Sequence, residues 1–400
     1  MTDTRNPSKG TLSVWGGEGK DFWQKATQIP VVHSVSFGYG DLDEWLDVAL
    51  GRRPGHIYSR NTNPTVAAFE EKLRRLEGAE AVTSFSSGMA AISNTLFTLL
   101  SPGDRLVSVK DTYGGTNQIF REFLPRFGIH VDLCDTSDAE AIEKSVSEGC
   151  RVLYLETPTN PTLKILDLAR LAASGRRAGA LVVVDNTFAT PINSNPLALG
   201  ADLVIHSATK FLGGHADALG GAVCGGADLV GRIFHFREIN GAALDPMAAY
   251  LILRGMKTLH LRIERQNANA LRIAGFLASH PFVEKVLYPG LASHENHAVA
   301  ARQMRGFGGV LSFAPKGGFE AVRALLPHLR FAHAAANLGS VETIVGPPAT
   351  TSHVEVPIEQ RAALGIPEGL IRYSTGIEDA DDLIADLDEA LGLARAAMER

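Results

Sequence analysis

The sequence predicts an α/β fold built on a mostly parallel β-sheet. Seven short apolar runs alternate with helix-like segments, a pattern typical of parallel strands covered by helices on both faces. The first helix of the pattern is Thr65–Glu77, in which apolar residues recur at helical spacing before a stop signal at Gly78. The predicted strands are Ala81–Phe85, Arg105–Val109, His130–Leu133, Val152–Leu155, Leu181–Val184, Leu203–Ile205 and Ala222–Cys224.

The segments on either side of this pattern differ from it. Glycines interrupt residues 1–64 so often that we expect an arm packed on another body, such as a second subunit. From about Arg254 the regular alternation of short strands and helices stops, and a long helix followed by further apolar segments takes its place. They are Met256–His280, Val283–Tyr288, Gly309–Phe313, a helix over Ala321–Leu326, and an acidic amphipathic helix, Asp379–Glu399. The predicted division is an arm (1–64), a large cofactor-binding domain (65–255) and a C-terminal domain (256–400).

Composition excludes several classes of protein. Of 400 residues, 45% are hydrophobic and 20% are charged, which is ordinary for a globular chain and unlike a disordered one. The net charge of −6 is opposite to the basic excess of nucleic-acid binders. No apolar run approaches the ~18 residues of a membrane helix, Met1–Pro7 lacks a signal-peptide core, and the three cysteines are widely separated. We therefore expect a cytoplasmic enzyme that binds neither nucleic acid nor membranes.

A lysine follows one of the predicted strands. In Ser207-Ala-Thr-Lys210-Phe-Leu-Gly-Gly, Lys210 has hydroxyl residues before it and glycines after it. A desolvated lysine readily loses its proton, and the neutral amine attacks carbonyl carbons to form a Schiff base. Ser207 and Thr209 are suited to hold an anion beside it. Taken alone, a lysine at a strand end is usually an ordinary surface residue.

An aspartate follows another apolar strand. Asp185 ends Leu181-Val-Val-Val-Asp185, which places its carboxylate at the edge of a parallel sheet where ligands bind. A buried carboxylate needs a cation or hydrogen-bond donors, and a protonated pyridine nitrogen is one such partner. Capping of the following turn is the alternative.

Two further segments begin after strands. Ser86-Ser87-Gly88-Met89 opens a helix with small residues, whose N–H groups and dipole suit a phosphate, although the segment is neither a Walker loop nor G-x-G-x-x-G. Tyr113-Gly-Gly-Thr116 places a ring on a glycine turn, where it stacks on a planar cofactor or is a common turn aromatic. A lysine, an acid, a phosphate site and a stacking ring at one sheet edge together predict a pyridoxal-phosphate (PLP) site.

A longer pattern extends through the chain. Its segments are Tyr58-Ser-Arg60-Asn-Thr-Asn-Pro-Thr65, Ser86-Ser-Gly-Met89, Tyr113-Gly-Gly-Thr116, Glu156-Thr-Pro-Thr-Asn160-Pro, Val184-Asp-Asn-Thr-Phe188, His206-Ser-Ala-Thr-Lys210-Phe, Leu338-Gly-Ser-Val-Glu342, Pro348-Ala-Thr-Thr-Ser-His353 and Arg372-Tyr-Ser-Thr-Gly-Ile-Glu378. This pattern resembles the cystathionine γ-synthase family, the PLP-dependent enzymes of cysteine and methionine metabolism. The resemblance implies the type I fold of PLP-dependent transferases, with a seven-stranded sheet and a smaller C-terminal α+β domain. It also implies a homotetramer made of two active dimers.

The resemblance further implies roles for individual residues. Lys210 would carry the Schiff base and take the substrate Cα proton, Asp185 would pair with the pyridine nitrogen, and Tyr113 would stack on the ring and assist proton transfer. Arg372 would bind the substrate α-carboxylate bidentately. The other implied cofactor contacts are Gly88, Met89, Thr187, Ser207 and Thr209, with Tyr58 and Arg60 supplied by a neighbouring subunit. The other implied substrate contacts are Asn160, Ser340, Gln118 and Asn337.

Four positions bear on the substrate. Family members that handle cystathionine usually carry an arginine at the position of Gln118 and a glutamate at that of Ala336, and we interpret both charges as holding the distal end of cystathionine. Asn337 resembles the sulfhydrylase branch, and Gly115 stands where methionine γ-lyases often have a cysteine. We therefore expect γ-elimination or γ-replacement on a γ-substituted homoserine-type amino acid other than cystathionine. The alternatives are a γ-lyase for methionine or canavanine, a cystathionine γ-synthase, and an O-acylhomoserine sulfhydrylase.

Other classes of function lack their signatures. A dehydrogenase needs a glycine-rich nucleotide turn with an acid about 20 residues later, and the sequence has none. A non-catalytic relative would be expected to lose Lys210 or Asp185, and both are present. His294-Glu-Asn-His297 is one residue short of the H-E-x-x-H zinc motif, so we expect no metal.

Overall fold

The computed structural model describes residues 7–18, 25–354 and 356–399. Residues 1–6, whose sequence lacks a signal-peptide core, and residues 19–24 of the predicted arm lie outside the described residues. The described part of the arm holds two short helices, α1 (Lys9–Trp15) and α2 (Leu42–Ala49). An antiparallel bridge between Ser36 and Tyr58 precedes the main body of the fold.

The seven predicted strands form one sheet. They are β1 (Ala81–Phe85), β2 (Arg105–Val109), β3 (His130–Cys134), β4 (Val152–Glu156), β5 (Leu181–Asp185), β6 (Leu203–Ser207) and β7 (Gly221–Gly225). Their spatial order is β1-β7-β6-β5-β4-β2-β3. Strand β7 is antiparallel to both of its neighbours, and the other pairs are parallel. The prediction of a mostly parallel seven-stranded sheet is therefore confirmed.

Five strands run further than the sequence pattern suggests, and in three of them, β4, β5 and β6, the added residues are polar. Strands β4 and β5 continue to Glu156 and Asp185, which are register partners. Strand β6 continues to Ser207, which pairs with Gly221. Backbone pairing thus carries polar residues into the sheet, where an apolar pattern gives no signal for them.

Helices cover both faces of this sheet. The first, α3 (Pro64–Glu77), begins at Asn63, whose side chain accepts the N–H of Thr65, and ends at Gly78, which has a φ of +74°. Alternate strand residues pack on opposite faces: Tyr154 belongs to one apolar cluster, and Leu153 belongs to another. The remaining helices are α4 (Gly88–Leu99), α5 (Gly114–Gln118), α6 (Leu124–Arg126), α7 (Ala139–Ser147), α8 (Leu168–Arg177), α9 (Thr190–Asn193) and α10 (Ala227–Asn240).

The C-terminal part forms a second, smaller sheet with its own helices. Its strands are β8 (Val283–Leu287), β9 (Val310–Pro315), β10 (His333–Ala334), β11 (Ile344–Gly346) and β12 (Ile371–Ser374), in the order β10-β11-β12-β9-β8. Its helices, with the two that lead into it, are α11 (Pro246–Met256), α12 (Leu259–Ser279), α13 (His297–Gln303), α14 (Gly318–Leu325), α15 (Ile358–Ala363) and α16 (Ala380–Met398). The helix expected over 321–326 is present as α14. The domain bounds at 64/65 and 255/256 stay predictions. No helix in the described ranges combines the length and the apolar character that crossing a membrane requires.

Candidate active site

A cavity of about 290 Å³ opens where the carboxyl ends of β4, β5 and β6 face the second sheet. Glu156, Asp185 and Ser207 end these three strands, and Arg372 of β12 completes the wall from the other side. Most of the polar residues in its wall are predicted site residues. The predicted site residues that line the cavity are Gly88, Met89, Tyr113, Asn160, Asp185, Thr187, Ser207, Thr209, Lys210 and Arg372.

One end of the cavity is formed by the start of α4. Helix α4 begins at Gly88, and the Ser87 hydroxyl caps it by accepting the N–H of Ala90 at 3.1 Å. A Cβ added at Gly88 would lie 2.8 Å from the Ser207 Cβ, so glycine lets the helix start lie against the end of β6. The N-terminal N–H groups of α4 and the Ser207 side chain thus share one end of the cavity, an arrangement that suits a phosphate.

The Asp185 carboxylate lies deeper in the same cavity and is 8% exposed. The Thr187 N–H donates to Asp185 Oδ1 at 3.0 Å, so the turn-capping contact considered for Asp185 is present. The Thr187 hydroxyl in turn accepts the N–H of Ser207 at 2.9 Å. Burial raises the pKa of Asp185, against the opposing effect of the Thr187 hydrogen bonds. A cationic ring nitrogen in the cavity would stabilise the ionised carboxylate.

Lys210 lies in the cavity wall rather than on an open surface. Its Nζ donates to the Asn337 side-chain Oδ1 at 2.7 Å. Burial, with a smaller effect from the positive charge of Arg372, lowers the pKa of Lys210 to about 8. Near neutral pH a useful fraction of the lysine is therefore the neutral, nucleophilic amine.

The Arg372 guanidinium is buried on the opposite wall. Its Nη1 donates to Asn160 Oδ1 at 3.0 Å, and its Nη2 donates to the Asn337 carbonyl oxygen at 3.0 Å. Burial lowers the pKa of Arg372 to about 10, which leaves it charged at neutral pH. Asn337 therefore contacts both Lys210 and Arg372, through its side chain and its main chain.

Some lining residues were not assigned a role from the sequence. Glu156 occurs in a recognised segment, and its place at the end of a strand was the available signal; its Oε2 accepts the Tyr113 N–H at 2.8 Å. Thr351, Ser352 and Leu219 line the cavity from connecting segments. Thr351 and Ser352 belong to the recognised segment Pro348–His353, whereas Leu219 lies in a connection without a periodic pattern, for which the sequence offered no signal.

Several predicted site residues lie outside this cavity. The Arg60 guanidinium lies 5.1 Å from the Tyr58 ring centroid, and its Nε donates to the Glu238 carbonyl oxygen at 3.0 Å. Gln118 lines a second cavity of about 470 Å³, whose wall shares Tyr113, Thr351 and Ser352 with the first. Ser340 is buried, and its hydroxyl donates to the Glu342 carboxylate.

The two histidines of the zinc-like motif make backbone contacts. His294 Nε2 lies 3.1 Å from the Leu163 carbonyl oxygen, and His297 Nδ1 lies 2.8 Å from that of Pro289. Within residues 7–18, 25–354 and 356–399, no group of three or more histidine, cysteine, aspartate or glutamate side chains is arranged to hold a metal ion.

Comparison with known proteins identifies the family of this chain. The family model described as Cys/Met metabolism PLP-dependent enzyme matches residues 10–392. The chain belongs to this family. As a member of the Cys/Met metabolism family, the protein is a PLP-dependent lyase or transferase that acts at the γ-carbon of amino acids.

Relatives in the family bear three different names at similar identity. An L-methionine gamma-lyase from Fusobacterium nucleatum subsp. polymorphum is 41% identical, over 97% of this chain and 99% of its own. A cystathionine gamma-lyase from Bacillus subtilis (strain 168) is 43% identical over 96% of this chain and 99% of its own. A chloroplastic cystathionine gamma-synthase 1 from Arabidopsis thaliana is 41% identical over 98% of this chain and 70% of its own.

Solved structures agree with the observed fold. The crystal structure of cystathionine gamma synthase from Xanthomonas oryzae pv. oryzae in complex with cystathionine superposes with a TM-score of 0.93. It is 38% identical in sequence and covers 98% of this chain and 100% of that chain. The predicted family, fold and cofactor are therefore confirmed, while the substrate is not resolved among the activities of the relatives.

Proposed function

We propose that the protein catalyses γ-elimination or γ-replacement on an amino acid whose γ-substituent lacks a second zwitterionic end. One observation carries the proposal: the cavity places Lys210 and Arg372 on the same residue, Asn337, beside the neutral methyl group of Ala336. An amine base and a carboxylate-binding group suit any α-amino acid. Neutral side chains at positions 118 and 336 favour a γ-substituent without charged ends of its own.

The lining residues match the parts of PLP. The N-terminal N–H groups of α4, at Gly88 and Met89, and the hydroxyls of Ser207 and Thr209 would hold the phosphate. The Asp185 carboxylate would pair with the protonated pyridine nitrogen. The Tyr113 ring, which is 41% exposed, would stack on the pyridine. Two observations support this fit. Burial raises the pKa of Asp185, so its carboxylate would gain from a cationic partner. Gly88 leaves open space at the start of α4 where a side chain would meet Ser207.

The positions of Lys210 and Arg372 in the cavity suit a reaction that begins with removal of the substrate Cα proton. When bound, PLP supplies the electron sink that makes the substrate Cα proton removable. Arg372 would bind the α-carboxylate bidentately, with Asn160 beside it, which fixes the direction of the Cα–H bond. Lys210 Nζ would take that proton, and Asn337 Oδ1 would keep the free amine close by between proton transfers. Loss of a Cβ proton would then allow the γ-substituent to leave as an anion.

Charged side chains at positions 118 and 336 should shift the substrate preference toward cystathionine. We expect the double variant Gln118→Arg/Ala336→Glu to gain cystathionine turnover relative to O-acylhomoserine, methionine and canavanine. A charge-assisted hydrogen bond contributes ~1.5–3 kcal/mol, so two additive ones would change the kcat/KM ratio by roughly 10²–10⁴-fold. The measurement is kcat/KM for each substrate, with release of 2-oxo acid, homoserine and thiol followed separately.

The neutral double variant Gln118→Leu/Ala336→Leu is the matched control, because it changes side-chain volume at both positions without adding charge. Its preference should not move toward cystathionine. A wild-type enzyme that already prefers cystathionine by about tenfold or more would contradict the proposal. So would a charged variant whose preference is unchanged.

A neighbouring subunit should supply part of the phosphate site. Tyr58 is 40% exposed, and Arg60 and Asn61 donate to Glu238 near the end of α10 rather than to the cavity of their own chain. We expect Arg60→Ala to weaken PLP binding by about 10- to 150-fold, the effect of losing one hydrogen bond to a charged group. The measurement is the PLP dissociation constant of the apoprotein.

Mixed oligomers test whether this contact crosses subunits. Hybrids of Arg60→Ala and Lys210→Ala protomers contain sites in which both residues are intact, so mixing two weakly active variants should recover activity. Demonstrably mixed oligomers that recover none would show that each site is built from one chain. The homotetramer and the cytoplasmic location expected from the sequence are part of this proposal.

A further inference from the structure

Glu156 is a buried carboxyl group that faces the cavity. It is 5% exposed and ends β4, in register with Asp185 at the end of β5. Register partners on neighbouring parallel strands project to the same face of a sheet. Two carboxyl groups therefore lie side by side under the cavity, although PLP has one ring nitrogen for them to bind.

The contacts of Glu156 connect two walls of the cavity. Its Oε2 accepts the Tyr113 N–H at 2.8 Å, and the Asn160 N–H faces the same carboxyl group and lowers its pKa. The Asn160 side chain accepts from Arg372 Nη1 at 3.0 Å. Glu156 thus lies between the turn that carries the Tyr113 ring and the Asn160 residue that holds the Arg372 guanidinium, and this network of three contacts spans the cavity.

Hydrogen-bond acceptance, rather than negative charge, is what this network needs from Glu156. Burial, followed by the neighbouring charge of Asp185 and that of Asp111, raises the pKa of Glu156 well above its usual range. A neutral carboxyl group keeps acceptor oxygens for both N–H groups. A glutamine of the same length offers one such acceptor and no charge.

We infer that Glu156 is a positioning residue that sets the Tyr113 ring and the Asn160–Arg372 pair relative to each other across the cavity. The inference rests on the roles proposed above for Tyr113 and Arg372. It makes cofactor stacking and substrate carboxylate binding depend on one side chain that contacts neither ligand's reacting atoms.

Three substitutions at this position separate length from charge. We expect Glu156→Ala, which removes the acceptor, to raise both the PLP dissociation constant of the apoprotein and the KM for the amino acid by about tenfold. Glu156→Asp keeps the carboxyl group but shortens the side chain by one methylene group, and should behave like Glu156→Ala. Glu156→Gln should keep both constants within about threefold of wild type, together with the circular dichroism of the bound cofactor.

Asp202 offers a matched control at the opposite end of β5. Its carboxylate accepts the N–H of Val182 at 2.7 Å, far along the strand from Asp185. Asp202→Ala should lower the melting temperature and leave PLP affinity and KM unchanged.

The outcomes divide cleanly. If Glu156→Ala and Glu156→Asp lower only the melting temperature, as Asp202→Ala does, Glu156 is structural and the inference is wrong. If Glu156→Gln raises both constants while Glu156→Asp leaves them near wild type, the network needs the negative charge of residue 156, and the inference is again wrong. PLP affinity is measured without any amino acid, so it tests Glu156 even if the proposed substrates are not turned over.

Discussion

Lys210→Ala should reduce kcat by at least about 10²- to 10⁴-fold, the usual contribution of a positioned general base, and should abolish the visible absorbance of lysine-bound PLP. The physical reason is that Lys210 Nζ is the amine at the strand-end cavity whose pKa, about 8, leaves it partly neutral. The fold should survive, because the Nζ contact is a hydrogen bond to Asn337 and burial disfavours its charge. Turnover, absorbance and melting temperature are the three measurements.

A second lysine and a small amine provide the controls for this prediction. Lys257→Ala removes a lysine that forms an ion pair with Glu18, outside the cavity, and should leave kcat unchanged. A small primary amine added to Lys210→Ala should restore part of the proton transfer, because the space of the lost side chain admits a free base. Retention of about a tenth of wild-type activity in Lys210→Ala would show that another group is the base.

Arg372→Leu should lower kcat/KM by about 30- to 5,000-fold, which corresponds to the ~2–5 kcal/mol cost of truncating one partner of a buried, hydrogen-bonded charge pair. Arg372→Lys should fall between this variant and wild type, because lysine keeps the charge without the bidentate fork. Most of the loss should appear in KM, since the α-carboxylate is bound before and during proton transfer.

The same substitution has a consequence for pH dependence. The charge of Arg372 contributes to the lowered pKa of Lys210, so Arg372→Leu should raise that pKa from about 8. The neutral amine is the form that combines with PLP, so recombination of wild-type apoprotein should accelerate as pH rises through about 8. In Arg372→Leu the acceleration should occur at higher pH; an unchanged midpoint, or one moved to lower pH, would contradict the assigned geometry.

The strand ends of the large sheet were predictable because their signal is local. Lys210, Asp185 and Tyr113 each follow an apolar run within a few residues, and parallel strands present their carboxyl ends at one edge. Arg372 has no such local signal: it comes from β12 in the second sheet, and its place opposite Lys210 depends on how the two sheets meet. Its role was assigned by resemblance rather than by pattern.

Contacts between distant segments were likewise beyond the sequence pattern. Asn337 joins Lys210 to Arg372 through its side chain and its carbonyl oxygen, a double contact that depends on backbone direction between β10 and β11. The pairing of Glu156 with Asp185 required the register of β4 against β5, and the apolar runs predicted for these strands ended one residue too early to show it. Gln118 and Ala336, which the family resemblance pairs, line separate cavities that share Tyr113, Thr351 and Ser352.

The placement of Ala336, Thr351 and Ser352 bears on how this scaffold diversifies. These cavity residues stand on connections beside β11, whereas Lys210 and Arg372 are fixed by the pairing of two sheets. A mutation in a connection alters this part of the cavity wall without shifting the register of either sheet. The distance between Lys210 and Arg372 is therefore kept. Evolution can therefore exchange one γ-substituent for another in few steps while the chemistry is inherited intact, and relatives with three different names at 41–43% identity are what such evolvability would produce.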